Sequence, residues 1–355
     1  MHGTGAAPSS LPTISVLITA HGRRTYLRDA VRSALDAGVP ADAREVVVVK
    51  DFADSALDAE LDSWGVRHIE TDAGPLGSKL AIGAGASRGD VVAFLEDDDA
   101  FVPGRLAMLR RRFAENPALG FYRNGQRRIG PDGTPLGASA YGAAHRNLVR
   151  YHRVRATPVT LAGDLGRLAR VDPDFNLSSI AVRRRYLPLG PGGLDGRRAA
   201  VDSWLFYAAL GAGAEVLIES DPWTNYRVHP SNVSLFRSGS DGALQERAAY
   251  QRTYLEAFRP IYERLRHDGP RPVFRLSAGT YRGSWVLYRL LAGEGGRGAL
   301  ASDLGGFWRE APRSTIAYRK DVSLWGLAGV VAPGAARRAF LRRRGREAAM
   351  ARAAN

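Results

Sequence analysis

Glu96-Asp97-Asp98-Asp99 sets four carboxylates side by side in the chain. Like charges this close repel unless a cation stands among them. A divalent metal with oxygen ligands is the usual remedy. The run is preceded by Val91-Val92-Ala93-Phe94-Leu95 and followed by Pro103. The apolar segment is short and continuous, which predicts a buried strand. Open α/β sheets bind ligands at the carboxyl ends of their strands, so these carboxylates stand where a site belongs. A solvated acidic turn is the plain alternative; the buried strand before the run favours a site.

The elements around this run have a rhythm. Residues 13–18 read as a first buried strand and 26–37 as a helix with apolar residues at Leu27, Ala30, Val31, Ala34 and Leu35. A β-branched strand follows at 45–49, then a helix at 55–64, a short strand at 66–69 and a small-residue helix at 79–87. Alternation of this kind predicts right-handed βαβ units, an α/β fold with a mostly parallel, Rossmann-like sheet flanked by helices. The pattern changes after residue 100. Residues 121–124 and 127–129 lead into Gly130-Pro131-Asp132-Gly133, a turn signal that predicts a hairpin. Short strands are expected at 180–182 and 215–218, with a helix at 202–211 between them. From Ala243 onward the chain reads as helical, with breaks at Pro260, Pro270, Gly293 to Gly298 and Pro333-Gly334. No internal repeat is visible.

Composition narrows the class. The chain has 355 residues, 45% of them hydrophobic and 24% charged, enough for a sizeable core. With no cysteine, disulfides, thiolate metal sites and a cysteine nucleophile are excluded. Residues 1–12 read as a flexible tail, not a signal peptide. No apolar stretch is long enough to predict a transmembrane helix. A cytoplasmic protein is therefore expected. The net charge is +14, but residues 270–355 hold 16 Lys/Arg against 5 Asp/Glu, leaving +3 for the other 269 residues. The basic character belongs to the C-terminal region.

Four segments in order resemble family 2 glycosyltransferases of GT-A fold. Val16-Leu17-Ile18-Thr19-Ala20-His21-Gly22-Arg23 resembles the family's strand-one motif. Phe94-Leu95-Glu96-Asp97-Asp98-Asp99 resembles its metal-binding DxD region. Val201-Asp202-Ser203-Trp204-Leu205 resembles the acidic motif that carries its base, and Tyr226-Arg227-Val228-His229 its Tyr-Arg-x-His segment. The resemblance implies a GT-A catalytic domain over 13–240, with a nucleotide-binding half at 13–100 and an acceptor half at 101–240. A helical extension occupies 241–355, basic at its end.

The resemblance also implies the chemistry: inverting transfer of a sugar, of hexosyltransferase type, from a nucleotide-diphospho-sugar donor to a hydroxyl acceptor. The acceptor would be a glycan, a lipid-linked sugar or a small molecule. A Mn²⁺ or Mg²⁺ ion would neutralise the departing diphosphate. Asp98 matches the family's metal-binding aspartate, with Asp99 and His229 grouped at the metal. Asp97, Arg227, Lys79, Arg23, Asp51, Thr19 and His21 fall on the donor side. Asp202 matches the general base, and an N-cap role is its structural alternative. Asp195 competes with it from a Gly-rich loop. Asn176 and Ser178 are expected to line the acceptor pocket after a turn at Asp174, with Trp204 on that side too.

The sequence departs from the family in three places. Glu96 stands for the usual Asp, Thr19 for a proline, and Val49-Lys50-Asp51 for the acidic pair after strand two. Either Asp51 contacts base or ribose, or Lys50 marks another nucleotide preference. The nucleobase stays open. So do two rival readings, a nucleotidyltransferase-like enzyme and a catalytically silent domain binding nucleotide or membrane. At the C-terminus, the apolar run 324–331 is followed by Arg337, Arg338, Arg342, Arg343, Arg344 and Arg346. Peripheral contact with an anionic membrane, at the inner face of the plasma membrane, is one reading of it. A helical subdomain packed on the core is the other. No nucleic-acid motif accompanies the charge, and a homodimer stays open.

Overall fold

The computed structural model describes residues 11–36, 38–137, 148–157, 160, 163, 167–229, 232, 241–311 and 316–353. The tail expected at 1–12 falls almost wholly outside the described residues. β1 (Ile14–Ala20), β2 (Arg44–Lys50), β3 (Arg67–Glu70) and β4 (Val91–Glu96) pair in parallel in the order β3-β2-β1-β4. Their apolar residues serve two cores, because helices cover both faces. Val16, Ile18, Val46 and Val48 pack with α1 (Leu27–Leu35), α2 (Ser55–Ser63) and α4 (Arg105–Glu115). Leu17, Val47 and Val49 face the other way, onto α3 (Leu76–Ala86) and α5 (Val201–Gly211). Gly83 lets α3 approach closely, since a Cβ there would meet Leu17 Cδ1 at 2.1 Å. That approach carries Lys79 to the carboxyl end of β1.

Beyond β4 the sheet becomes mixed. β5 (Ala100–Phe101), β6 (Leu119–Ile129), β7 (Arg153–Ala156), β8 (Ile180–Arg183) and β9 (Glu215–Arg227) complete it. β8 lies antiparallel between β4 and β6, β6 runs parallel to β9, and β5 and β7 each pair antiparallel with β9. The parallel expectation therefore describes the first four strands.

Three expected elements differ. The two segments expected at 121–124 and 127–129 are one continuous strand, β6. Its Asn124 and Gln126 are buried and polar, with Asn124 Nδ2 donating to Thr224 Oγ1 at 2.9 Å, so hydropathy hides its continuity. The turn expected at 130–133 is present and closes a short hairpin: Ile129 bridges Pro135, the Gly130 N–H donates to the Thr134 carbonyl at 2.7 Å and the Leu136 N–H to the Arg128 carbonyl at 2.9 Å. β9 outruns the expected 215–218 by nine residues because its second half is largely polar and mixed in burial, with Thr224 and Arg227 buried but Pro222 exposed, so no apolar run marks it. The break at Pro260 does not occur; α6 (Asp241–Asp268) runs through it. Burial of Phe258, Ile261, Tyr262 and Leu265 outweighs the one lost helix hydrogen bond.

α7 (Arg271–Ala292), α8 (Gly296–Glu310), α9 (Ile316–Val331) and α10 (Pro333–Ala353) follow. The breaks at Pro270, Gly293 and Pro333 stand where the sequence puts them, Gly293 ending α7 in the left-handed region at φ 75°. Trp325 packs edge-on against Phe340 at 5.3 Å, inside a third apolar cluster, while Leu324, Leu327 and Val331 face solvent. Among the described residues no helix is long and apolar enough to cross a membrane.

Candidate active site

A cleft of about 760 Å³ opens at the carboxyl ends of β1 and β4. Thr19, His21, Arg23, Lys79, Asp97, Asp98, Asn176 and Asp202 all line it. The structure thus gathers eight residues that lie far apart in the chain. Asp51, Asp99, Asp195, Ser178, Trp204, Arg227 and His229 do not line it, and each has another task.

The floor is the acidic run. Arg23 reaches Asp97 Oδ1 at 2.7 Å and Asp98 Oδ2 at 2.8 Å. His229 Nε2 lies 3.0 Å from the same Asp98 oxygen and so fixes that carboxylate in place. Asp97 Oδ2 is buried and has no hydrogen-bond partner among the described residues. Burial pushes the Asp97 carboxyl up to about 6; Arg23 opposes the rise and Asp98 adds to it. Glu96 is driven up further, by burial and then by the fields of Asp98, Asp99, Asp202 and Asp97. This floor holds more negative charge than its own cations balance.

Asp99 corrects the expected ligand set. Its Oδ1 accepts the Arg227 backbone N–H at 2.8 Å and its Oδ2 accepts from Asn176 Nδ2 at 3.2 Å. It is 1% exposed and ties the end of β4 to β9. Burial, with the field of Asp98, raises it to about 7 despite hydrogen bonds from Ser178, Arg227 and Asn176. No group of three or more His, Asp or Glu residues is placed to hold a metal among the described residues. Asp98 and the unpartnered Asp97 oxygen remain, and they fit a divalent ion that takes its other ligands from water or a diphosphate.

The donor-side expectations separate. Lys79 Nζ contacts Asp51 Oδ2 at 2.6 Å, His21 Nδ1 at 2.9 Å and the Ala20 carbonyl at 3.2 Å. Burial would raise Asp51, but hydrogen bonds from Lys79, the Gly22 N–H and His21 hold it down at about 2. Asp51 therefore anchors the loop after β1 and does not reach the cleft. Arg227 is also engaged elsewhere: Nε donates to the Asp98 carbonyl at 2.9 Å, one terminal nitrogen to the Pro131 carbonyl at 2.9 Å, and the group stacks over Tyr26. It is a buried strut between β4 and β9, not a phosphate ligand on the surface of the cleft.

Lys50 is fully buried and faces away from the cleft. Its Nζ donates to the Phe52 carbonyl at 2.8 Å and meets Glu70 at 3.1 Å and Asp58 at 3.2 Å. It pins the end of β2 to α2 and β3. Lys50→Met should cost roughly 1–3 kcal/mol in chemical denaturation, with the partly exposed carboxylates screened by water. Nucleotide affinity should not change; a changed nucleotide preference in this variant would contradict the assignment.

On the opposite wall, α5 begins after Ala200, whose φ is 56°. Asp202 is thus one position inside the helix, and its Oδ1 accepts the Ser203 N–H at 2.9 Å. The capping alternative is met in part, yet the residue also lines the cleft. Burial, then the field of Asp174, raises its carboxyl to about 7, against the pull of backbone hydrogen bonds. Asp174, read from sequence as a turn, and Asp172 line the cleft beside it. Ser203 Oγ donates to Asp174, and Tyr254 from α6 lies 2.9 Å from Ser203 Oγ. The DxD spacing of 172–174 is visible in the sequence, but no strand precedes it to mark a site.

The remaining acceptor-side expectations resolve into packing. Asp195 accepts from Ser78 Oγ at 2.6 Å and from the Gly196 N–H at 2.8 Å, which organises its own loop. Trp204 is 3% exposed and lies in the core under the Arg197 guanidinium, 3.5 Å from the ring centroid. Ser178 is fully buried; its Oγ accepts the Glu96 N–H at 3.0 Å and so sets the height of the acidic run.

Residues 15–164 match the model of Glycosyl transferase family 2. The chain carries a family 2 glycosyltransferase domain, and it is a glycosyltransferase. Among solved structures it is similar to residues 1–349 of S. aureus TarS in complex with UDP-GlcNAc, at 13% identity and a TM-score of 0.48, over 87% of this chain and 92% of that one. The same S. aureus segment in complex with UDP is similar at 14% identity and a TM-score of 0.47, with the same coverage. No curated protein matches the chain.

Proposed function

We propose that the chain moves a sugar from a nucleotide-diphospho-sugar to an acceptor hydroxyl with inversion, with Asp202 as general base. The observation that carries this is the meeting of Asp98 and Asp202 in one cleft, although 104 positions separate them in the sequence. A Mn²⁺ or Mg²⁺ ion held by Asp98, with the free oxygen of Asp97, would neutralise charge on the leaving diphosphate. The acceptor oxygen attacks the anomeric carbon while the bond from that carbon to the β-phosphate oxygen breaks. The acceptor proton passes to Asp202, and the nucleoside diphosphate departs with the bonding electrons. Arg23, already at the carboxylate floor and one-third exposed, is the cation on hand to turn toward a phosphate. A carboxyl near 7 is matched to taking a proton at neutral pH.

The test is calorimetric titration with UDP, GDP, dTDP and CDP, each with and without Mn²⁺. One nucleotide should bind, and more tightly with the ion. If none binds under either condition, the donor assignment fails.

A further inference from the structure

The cleft is not completed by the segment that matches the family. α6 contributes Tyr250, Gln251 and Tyr254 to its wall, and α7 contributes Leu276 and Thr280. These residues lie more than eighty positions beyond the matched stretch. They face the half that holds Asp202, Asp172 and Asp174. Tyr250 stands near both Asp202 and Glu96: burial first, then these two carboxylates, raises its hydroxyl to about 12. It therefore remains a proton donor across the working pH range. Tyr254 is tied through Ser203 to Asp174, so α6 is docked to the site and not merely adjacent to it.

The chemistry of this wall is uneven. Aromatic rings offer flat apolar faces of the kind that cover the C–H face of a sugar ring, and carboxylates accept from its hydroxyls. Four carboxylates line this part of the cleft: Glu96, Asp172, Asp174 and Asp202. Against them stands Arg123, which is buried and donates to the Phe175 and Val171 carbonyls, and Arg198 at the exposed rim. Burial raises each of these carboxyls, Asp202 to about 7, so an anionic group brought here must either force them into the neutral form or meet like charge in a confined space, which is a penalty against the wrong partner.

We infer that α6 and α7 form an acceptor subsite for an uncharged or cationic polyhydroxylated ligand, stacked on Tyr250, and that acceptors bearing phosphate at this position are rejected. This rests on the transferase reading only for which substrate occupies the wall.

The test reads binding and not turnover. Saturation-transfer NMR is recorded on the full chain with Mg²⁺ and each of UDP, GDP, dTDP and CDP in turn, against methyl glycosides of the common hexoses, glucosamine and glucose 6-phosphate. At least one neutral glycoside or glucosamine should receive magnetisation, and glucose 6-phosphate should receive several-fold less. Tyr250→Ala should remove the signal, while Tyr250→Phe, which keeps the ring, should retain most of it. Nucleotide affinity measured on the same variants should be unaltered. Equal or stronger transfer to glucose 6-phosphate overturns the proposal, as does an undiminished signal in Tyr250→Ala, or no signal from any sugar when nucleotide binds. Failure of every nucleotide to bind while sugars still do would instead strike the donor reading and leave this subsite standing.

Discussion

Asp202→Asn should lower transfer by about 10²–10⁴-fold, the usual worth of a general base, and leave nucleotide affinity unchanged. Asparagine has nearly the same shape and can still accept the Ser203 N–H, so the start of α5 is preserved. What it cannot do is take a proton. The wild-type profile of kcat/KM should rise as pH passes through about 7, because only the ionised carboxylate is competent. Stability runs the other way. A folded-state pKa raised above 3.8 gives stability that is fully present below the unfolded value and lost as pH rises through about 7. The Asn variant escapes that loss, so above pH 7 it should be at least as stable as the parent. Activity and stability thus move in opposite directions, which separates a lost base from a damaged fold. Asp195→Asn is the control, and it should keep the ascending limb. A flat profile in the parent, or transfer retained in Asp202→Asn, would move the base elsewhere.

The sequence shows the first half of the molecule more clearly than the second, and the reason is physical. β1, β2 and β4 are apolar on both faces because helices cover both, so each stands out as a continuous run, while the edge strand β3 keeps only Ile69 as an apolar residue. β6 and β9 bury Asn124, Gln126, Glu219 and Thr224 in pairs with one another and with neighbouring loops, and buried polar pairs look like surface in a hydropathy reading. The same limit governs the site. Asp98 and Asp202 are legible because each follows a recognisable local pattern. The tasks of Asp99 and Arg227 are not, since they depend on β5 bringing β9 against the end of β4. Tyr250 and Tyr254 occupy i and i+4 of a long helix, a spacing that core packing produces just as well. Only the placement of α6 beside Asp174 distinguishes them.

Asp98→Ala is the second large effect, and its contrast with Asp99→Ala gives it meaning. The first should abolish the gain in nucleotide affinity that Mn²⁺ confers, a loss of at least roughly 10–100-fold, the scale seen even for residues that only orient ligands. Arg23 keeps its contact with Asp97 and Asp99 keeps its ties to Arg227 and Asn176, so the floor holds its shape without the Asp98 carboxylate, and what is lost is the cleft-facing oxygen assigned to the ion. Asp99→Ala acts on different contacts. It leaves the buried Arg227 N–H without its acceptor and Asn176 Nδ2 with only the longer bond to Glu96 at 3.4 Å, which should cost roughly 1–3 kcal/mol of stability. The response to Mn²⁺ should persist wherever that variant is folded. Calorimetry with and without Mn²⁺, beside a denaturation curve for each variant, reads both quantities. Were Asp99→Ala to lose the Mn²⁺ response while remaining folded, the buried aspartate would have to turn into the cleft when nucleotide binds, and the assignment of the run would reverse.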